Sequence, residues 1–372
     1  MEKIRLGDVA TYINGYAFKP EDRGGVGLPI IRIQDLTGNA YDVGYYNGTY
    51  PENIEINDGD VLISWSASLG VYLWNRGQAL LNQHIFKVVF DQKPIEKQFF
   101  IYAIQHELAS MSQKTHGATM KHITKKDFEN VLIVYPSIEN QQQIVASLDK
   151  VNHLLEMRRR QLQLLDDIVK SRFIEMFETL DMSEERNEWE TLGDLCKIYT
   201  GTTPSSKEES YWNGDVLWIT PAEMSSETFY VYDTVRKITE KGRKSKSLDI
   251  MPVNTVLLST RAPIGKVGIV GTPMACNQGF KNFECGKRLN PVFLYVLLKN
   301  NTEYLNSLGS GTTFLEVSKS KIAKTRIPVP DITKQNEFEQ FVKVIDKSKF
   351  IIQQSIEKLE TLQKALMQKY FG

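Results

Sequence analysis

The sequence predicts a mixed α and β protein written twice: two tandem α+β heads joined by two long antiparallel coiled-coil helices, with a pseudo-twofold internal repeat. Three observations predict it. The chain repeats itself at a displacement of nearly 190 residues, each copy opens with short apolar runs between turn residues, and each closes with about 40 residues almost free of glycine and proline.

The repeat comes first because it sets the domain count. Leu6, Gly7, Asp8 and Gly15 recur 186 positions later as Leu192, Gly193, Asp194 and Gly201. Val61, Leu62, Ser64, Gly70, Asn82 and Gln83 recur 195 positions later as Val256, Leu257, Ser259, Gly265, Asn277 and Gln278. Gly117, Thr119, Lys125, Pro136, Gln141 and Phe177 then return at 194 as Gly311, Thr313, Lys319, Pro330, Gln335 and Phe371. The rise from 186 to 195 places a net insertion of nine residues between Gly201 and Val256, where a surface loop is expected. A unit this long is no solenoid repeat; two similar domains follow, and on the repeat alone a duplicated metabolic enzyme is the competing reading.

The first head is expected over 1–136. LPIIRI at 28–33, GDVLISW at 59–65 and HIFKVVF at 84–90 read as strands, and EKQFFIYAIQHELASM at 96–111 as a helix. A first long helix is expected over 137–180 and an acidic linker over 181–189. The second head, over 190–330, offers strands DVLWIT at 215–220, NTVLLST at 254–260 and KVGIV at 266–270, with helical residues at 290–308. A second long helix is expected over 331–372. Both long helices follow a proline, Pro136 or Pro330, and begin at a good N-cap residue, Ser137 or Asp331.

In the first long helix Ile144, Leu148, Val151, Leu155, Leu162, Leu165, Val169 and Met176 fall at steps of three and four, interrupted by Arg158 and Arg172. The second carries Phe338, Val342, Ile345, Lys349, Ile352, Ile356, Leu359, Gln363, Leu366 and Tyr370 at the equivalent places. A lone helix with one apolar stripe is marginal in water, so the two stripes are expected to bury each other. Within one chain the economical pairing is antiparallel, with a head at either end, about 60 Å apart at ~1.5 Å per residue.

Bulk properties narrow the class. At 372 residues, with 41% hydrophobic and 24% charged residues, wholesale disorder is excluded. There is no signal-like apolar core near the N-terminus and no run approaching the ~18 apolar residues of a membrane span, so a cytoplasmic protein is expected. Cys196, Cys276 and Cys285 lie in the second half and all five histidines in the first, which leaves neither a disulfide framework nor a zinc spacing within one half. The cysteines read as free thiols.

The opening LGD and its glycine turn (GYAFKP; GTTPSS), the SWSASLG and STRAPIG loops, and the NQ that follows each occur in both copies. So do GATMKHITKKDF and GTTFLEVSKSKI, and YPSIENQQQIV and VPDITKQNEFE at the helix starts. Together, over nearly the whole length, these resemble the specificity subunits of type I restriction-modification systems. The resemblance implies that each head is a target recognition domain reading one half of a bipartite DNA site. It implies too that the helices fix the spacing and dock two methyltransferase subunits, with restriction/translocase subunits as further partners. Sixty ångströms at ~3.4 Å per base pair bounds the distance between the two contacts at roughly 18 base pairs. The first copy departs from the second in lacking Thr-Thr-Pro and the loop arginine, which implies that equivalent loops read different bases.

Net charge is zero, an objection to a DNA binder that local patches must answer. RKITEKGRKSK at 236–246 has six positive residues and one negative and lies in the lengthened region; Lys241, Arg243, Lys244 and Lys246 are its candidate contacts, a solvated loop being the alternative. Thr202 and Thr203 stand in the glycine turn. Arg261 is placed to fork onto a guanine, and Lys319, Lys321 and Lys324 to hold phosphates. The first head offers Lys121, His122, Lys125 and Lys126 at the matching place, with Tyr16, Ser64 and Trp65; Trp65 and His122 read equally well as core groups. Arg158, Arg159 and Arg160, on the long helix, are assigned to partner docking or a solvated face rather than DNA. Acidic residues concentrate in DMSEERNEWE at 181–190. With zero net charge, the lone chain is expected to bind DNA modestly.

No Pro-Pro pair for a base-methylating tetrapeptide and no GxxxxGK[ST] loop occurs. Pro330-Asp331 begins like a nuclease motif but lacks its partners, and Asp331 reads as a helix cap. The chain is therefore expected to be non-catalytic and to need no cofactor, with S-adenosylmethionine, ATP and magnesium implied for the partner subunits. The competing readings are a diverged methyltransferase or nuclease and an adaptor whose heads bind proteins.

Overall fold

The computed structural model describes residues 2–39, 42–66, 68–114, 124–178, 180–184, 186, 188–225, 229–261, 263–310 and 315–372. The chain divides into two compact units, Met1–Arg159 with Gln354–Gly372, and Arg160–Gln353. Each unit is one head together with the adjoining half of each long helix.

In the first unit a four-stranded antiparallel sheet runs in the order Thr11–Asn14, Ile85–Val89, Val61–Ser64, Gly70–Leu73. A second sheet runs Gly44–Tyr46, Leu28–Ile31, Ala79–Leu81, Glu55–Ile56, its central pair parallel. All four residues of Val61–Ser64 are buried, as befits a central strand covered on both faces. The first strand of the head, Lys3–Arg5, pairs with Leu132–Val134 just before the long helix and so ties the start of the domain to its end.

The second unit repeats this plan. Cys196–Thr200, Lys281–Cys285, Val256–Thr260 and Ile264–Val270 form the equivalent sheet, and Trp212–Ile219 pairs in parallel with Ala275–Cys276 as Leu28–Ile31 does with Ala79–Leu81. Glu190–Thr191 pairs with Arg326–Ile327 in place of the tie strand. The lengthened region holds more than the surface loop expected. Tyr230–Val231 adds a fifth strand to the sheet edge, and Glu240–Ser245 forms a short helix capped by Thr239, whose Oγ1 accepts from the Gly242 amide at 3.1 Å. Among the described residues the first head has no counterpart of either.

The recurring Gly15 and Gly201 have a common cause. A Cβ at either would collide with a backbone carbonyl of the neighbouring strand, that of Asn82 or that of Cys276.

Both long helices form uninterrupted, over Ile138–Phe177 and Ile332–Phe371. Ser137 Oγ accepts from the Asn140 amide at 3.4 Å and Asp331 Oδ1 from Thr333 at 2.8 Å, the capping that the sequence leads one to expect. Every residue named in the two stripes is buried or half-buried. In the first unit Gln363 Nε2 donates to Asn152 Oδ1 at 2.5 Å, and Arg159 pairs with Glu360 at 3.0 Å. In the second, Lys349 meets Asp166 at 2.6 Å. Within the first unit the two contacts advance along one helix and retreat along the other, so the pairing there is antiparallel. The polar seam positions Lys349 and Gln363 thus serve as register pairs rather than packing defects.

Each head grips its helices through a fully buried glutamine from the repeat. Gln141 Oε1 accepts from the Glu96 amide at 2.9 Å while its Nε2 donates to the Pro136 carbonyl at 2.9 Å. Gln335 accepts from the Asn290 amide at 2.8 Å and donates to Pro330 at 2.7 Å and Arg288 at 3.1 Å. Apolar contacts do the rest. In the second unit Phe173 stacks on Phe293 and meets Phe338 edge to face, each at 5.4 Å, joining head and helices in one core; in the first, Phe371 lies 5.2 Å from Phe99.

Candidate nucleic-acid interface

In the second head, Trp212 and Trp218 stand towards opposite ends of strand Trp212–Ile219, whose register is irregular between Trp212 and Val216 and so folds the two side chains together. Their rings meet edge to face with centroids 5.3 Å apart. Both indoles hold the glycine turn: Trp218 Nε1 donates to the Thr202 carbonyl at 3.2 Å and Trp212 Nε1 to the Ser205 carbonyl at 3.1 Å. Thr203 Oγ1 donates to Gln278 Oε1 at 2.7 Å, which joins the turn to the repeated Asn-Gln. The guanidinium carbon of Arg236 lies 3.9 Å over the Trp212 ring and 5.2 Å from that of Trp218. The structure therefore brings together the turn with Thr202 and Thr203, the repeated glutamine and the head of the basic segment.

The remaining basic residues differ in availability. Lys241 sits 5.6 Å from the Tyr211 ring centroid and donates to Ser210 Oγ at 2.9 Å, leaving the rest of its ammonium to solvent. Arg243 does not present its fork: Nε and Nη2 bind Glu240 at 2.8 and 2.6 Å, and Nη1 binds the Leu248 carbonyl at 2.9 Å. The same contact holds the Glu240 carboxyl below the usual carboxylate range. Arg243 is thus a brace of the short helix. Lys244 lies 3.7 Å from Glu240, and Lys246 is exposed.

Arg261 is also engaged, 3.3 Å from Glu316, which approaches Lys281 at 3.7 Å on its other oxygen. Burial pushes the Lys281 ammonium down while Glu316 opposes it. A guanine fork from Arg261 requires exchange of that carboxylate for a base edge. Lys319, Lys321 and Lys324 lie exposed on helix Lys319–Lys324, capped by Ser318.

In the first head Tyr16 occupies the place of Thr202 and is 40% exposed, its ring edge on Phe18 at 5.0 Å. Phe18 in turn meets Tyr46 at 5.2 Å, so an aromatic ladder stands where the second head has its indole pair. Ser64 is fully buried and its hydroxyl donates to the carbonyl of Ser68. Its repeat Ser259 does the same to Pro263 at 2.8 Å. This serine braces the loop from within and does not face solvent, so it is placed for shaping the surface rather than for touching a base. Trp65 stacks on Phe86 at 5.7 Å, the core side of its two readings. Lys125 and Lys126 are exposed on helix Lys125–Glu129, Lys125 lying 3.6 Å from Glu129. Lys121 and His122 lie outside the described residues. On the first long helix Arg159 is paired with Glu360, Arg158 is half-buried and Arg160 exposed.

Two groups escaped sequence reasoning. The glutamine grips were visible as repeats but without a role. The Arg236 stack left no local signal, because the irregularity between Trp212 and Val216 breaks the alternation from which a shared face is read.

The sequence profile of the type I restriction modification DNA specificity domain matches residues 1–166 and 186–361. The type I restriction enzyme MjaIX specificity subunit of Methanocaldococcus jannaschii is 36% identical over 184 residues, which is 48% of this chain and 43% of that one. The EcoBI specificity subunit of Escherichia coli is 22% identical across 99% of this chain and 85% of its own length. Among solved structures, the type I restriction-modification S subunit from M. genitalium superposes over 100% of this chain and 96% of its own, with a TM-score of 0.56 at 15% identity, a likeness of fold. With both copies of the repeat covered by one profile, the chain belongs to the type I restriction modification DNA specificity domain family.

Proposed function

We propose that this chain is the DNA sequence-specificity subunit of a type I restriction-modification enzyme, each head binding one half of a bipartite target while the long helices set the spacer. The observation that carries this reading is the pair of heads with one topology and unlike polar surfaces. The loop that holds Tyr16 beside Phe18 in the first head holds Thr202 and Thr203 beside Trp218 and Arg236 in the second. Two readers of two different half-sites require such a difference; two equivalent docking modules do not.

The chain is non-catalytic in this account and takes two methyltransferase subunits, and restriction/translocase subunits where present, as partners. These supply S-adenosylmethionine, ATP and magnesium chemistry. Docking on the helices is supported by apolar side chains left exposed on their outer faces, Leu154 and Met157 in one unit and Leu164, Ile168, Phe350 and Ile351 in the other. Exposed Lys125, Lys126, Lys241, Lys246, Lys319, Lys321 and Lys324 serve phosphates. No helix among the described residues is long and apolar enough to cross a membrane.

The test is co-expression with the cognate methyltransferase subunit, followed by genome-wide mapping of methylated bases. Two defined half-sites around a fixed spacer are expected. A single continuous motif, or no methylation by an assembled complex, refutes the reading.

A further inference from the structure

We propose that Arg236 is a base-reading residue of the second head, its guanidinium presented by Trp212 to the edge of a guanine in that head's half-site. The inference rests on the specificity-subunit reading above and adds one residue and one base to it.

Reading a guanine in the major groove takes two parallel N–H donors from one planar group, held in a fixed direction and open to solvent. The second head has five arginines, at 236, 243, 261, 288 and 326. Four are occupied. Arg243 is forked on Glu240 and the Leu248 carbonyl, and Arg261 faces Glu316. Arg288 grips both oxygens of Glu190 at 2.8 and 2.5 Å, and Arg326 binds the Trp189 carbonyl at 2.5 Å.

Arg236 is exposed and has no carboxylate within 4 Å among the described residues, although Asp233 stands three positions before it; that carboxylate pairs instead with Lys237 at 3.0 Å. What holds Arg236 is a ring face. Cation–π stacking at 3.9 Å uses the face of the guanidinium and leaves the N–H edge available, so the fork is oriented without being consumed. The support is itself rigid. Trp218 is 1% exposed, both indole N–H groups are hydrogen-bonded to the Thr202–Ser205 turn, and the Arg236 carbonyl accepts from Thr234 Oγ1 at 2.7 Å. The residue equivalent to Trp218 in the first head is Ile30, each standing opposite the repeated strand at Ala275 and Leu80. The first head therefore cannot build this stack, in keeping with a different half-site.

The experiment uses the full chain in complex with its methyltransferase subunit. The wild-type motif is mapped by methylation, and equilibrium binding at fixed salt is measured on duplexes in which each base pair of the second half-site is replaced singly. For the wild type, one G·C pair is preferred by roughly ten- to hundredfold. Arg236→Lys, which keeps the charge but not the fork, and Arg236→Ala are expected to lose the preference at that pair and at no other. Trp212→Leu, which loosens the support, gives a smaller loss at the same pair. Unchanged preferences in both Arg236 variants overturn the proposal. So does an equal loss on every duplex with a reduced salt slope, the mark of a phosphate contact. Should the wild-type complex yield no two-part motif, the parent reading fails instead, and the two failures are told apart by that first map.

Discussion

Replacing Gln335 with leucine keeps the side-chain volume and removes three hydrogen bonds. The Asn290 amide, the Pro330 carbonyl and the Arg288 carbonyl lose their partner. The first bond is fully buried and the other two are half-buried. At up to ~3 kcal/mol for a buried orphan and ~1 kcal/mol for each half-buried one, the cost is about 4–5 kcal/mol. Gln141→Leu strands only the Glu96 amide and the Pro136 carbonyl, both half-buried, for about 2 kcal/mol.

The two substitutions act on different units, so a single melting curve does not resolve them. Hydrogen exchange of the full chain does, because it reports opening segment by segment. Gln335→Leu should deprotect helix Pro291–Asn300, whose first turn it releases, and leave Lys97–Lys114 unchanged; Gln141→Leu should do the reverse and more weakly. Equal effects, or loss of protection in the opposite unit, would refute the view that each glutamine clamps its own head to its own helix start.

Other outcomes follow from the polar seam and the basic surface. Burial raises the Asp346 carboxyl above its ordinary value against the pull of Lys349. The folded state then holds its proton more tightly than the unfolded chain, so stability falls as pH rises through the raised value. Asp346→Asn should raise the thermal midpoint of its unit at neutral pH, with the gain gone below about pH 3, where both states are protonated. Asp166→Ala removes the carboxylate 2.6 Å from Lys349 and 3.6 Å from Lys299 and should cost about 1–2 kcal/mol in a urea titration, less at high salt. Exchanging Lys319, Lys321 and Lys324 together for glutamine should weaken DNA binding by the assembled complex evenly across sequences and lower the slope of log affinity against log salt by up to about 3.

Periodic and local signals made the architecture legible. The caps at Ser137 and Asp331, the seam from Ile144 to Met176 and the glycine pair each depend on neighbours a few residues away or on the copy next door. The interface was less legible because its decisive contacts join distant segments. Glu240, three residues before Arg243, could be seen as its partner from spacing alone. Glu316 could not be seen as the partner of Arg261, nor Trp212 as the platform for Arg236, since both depend on strand pairing across the head. Ser64 misled for the opposite reason: a small polar residue beside a loop reads as exposed until the loop carbonyls are seen to turn inward over it. Zero net charge concealed a real asymmetry, because carboxylates neutralise Arg243, Arg261 and Arg288 while the lysines of Lys319–Lys324 remain exposed.

The central claim, that the two heads read DNA independently, is tested most directly by exchange. The second head of this chain is replaced, between its tie strands, by that of a relative with a known and different half-site, and the methylation motif of the co-expressed complex is mapped. The account predicts that one half of the motif changes to the donor's while the other half is kept. A motif altered in both halves, or in neither, would contradict it.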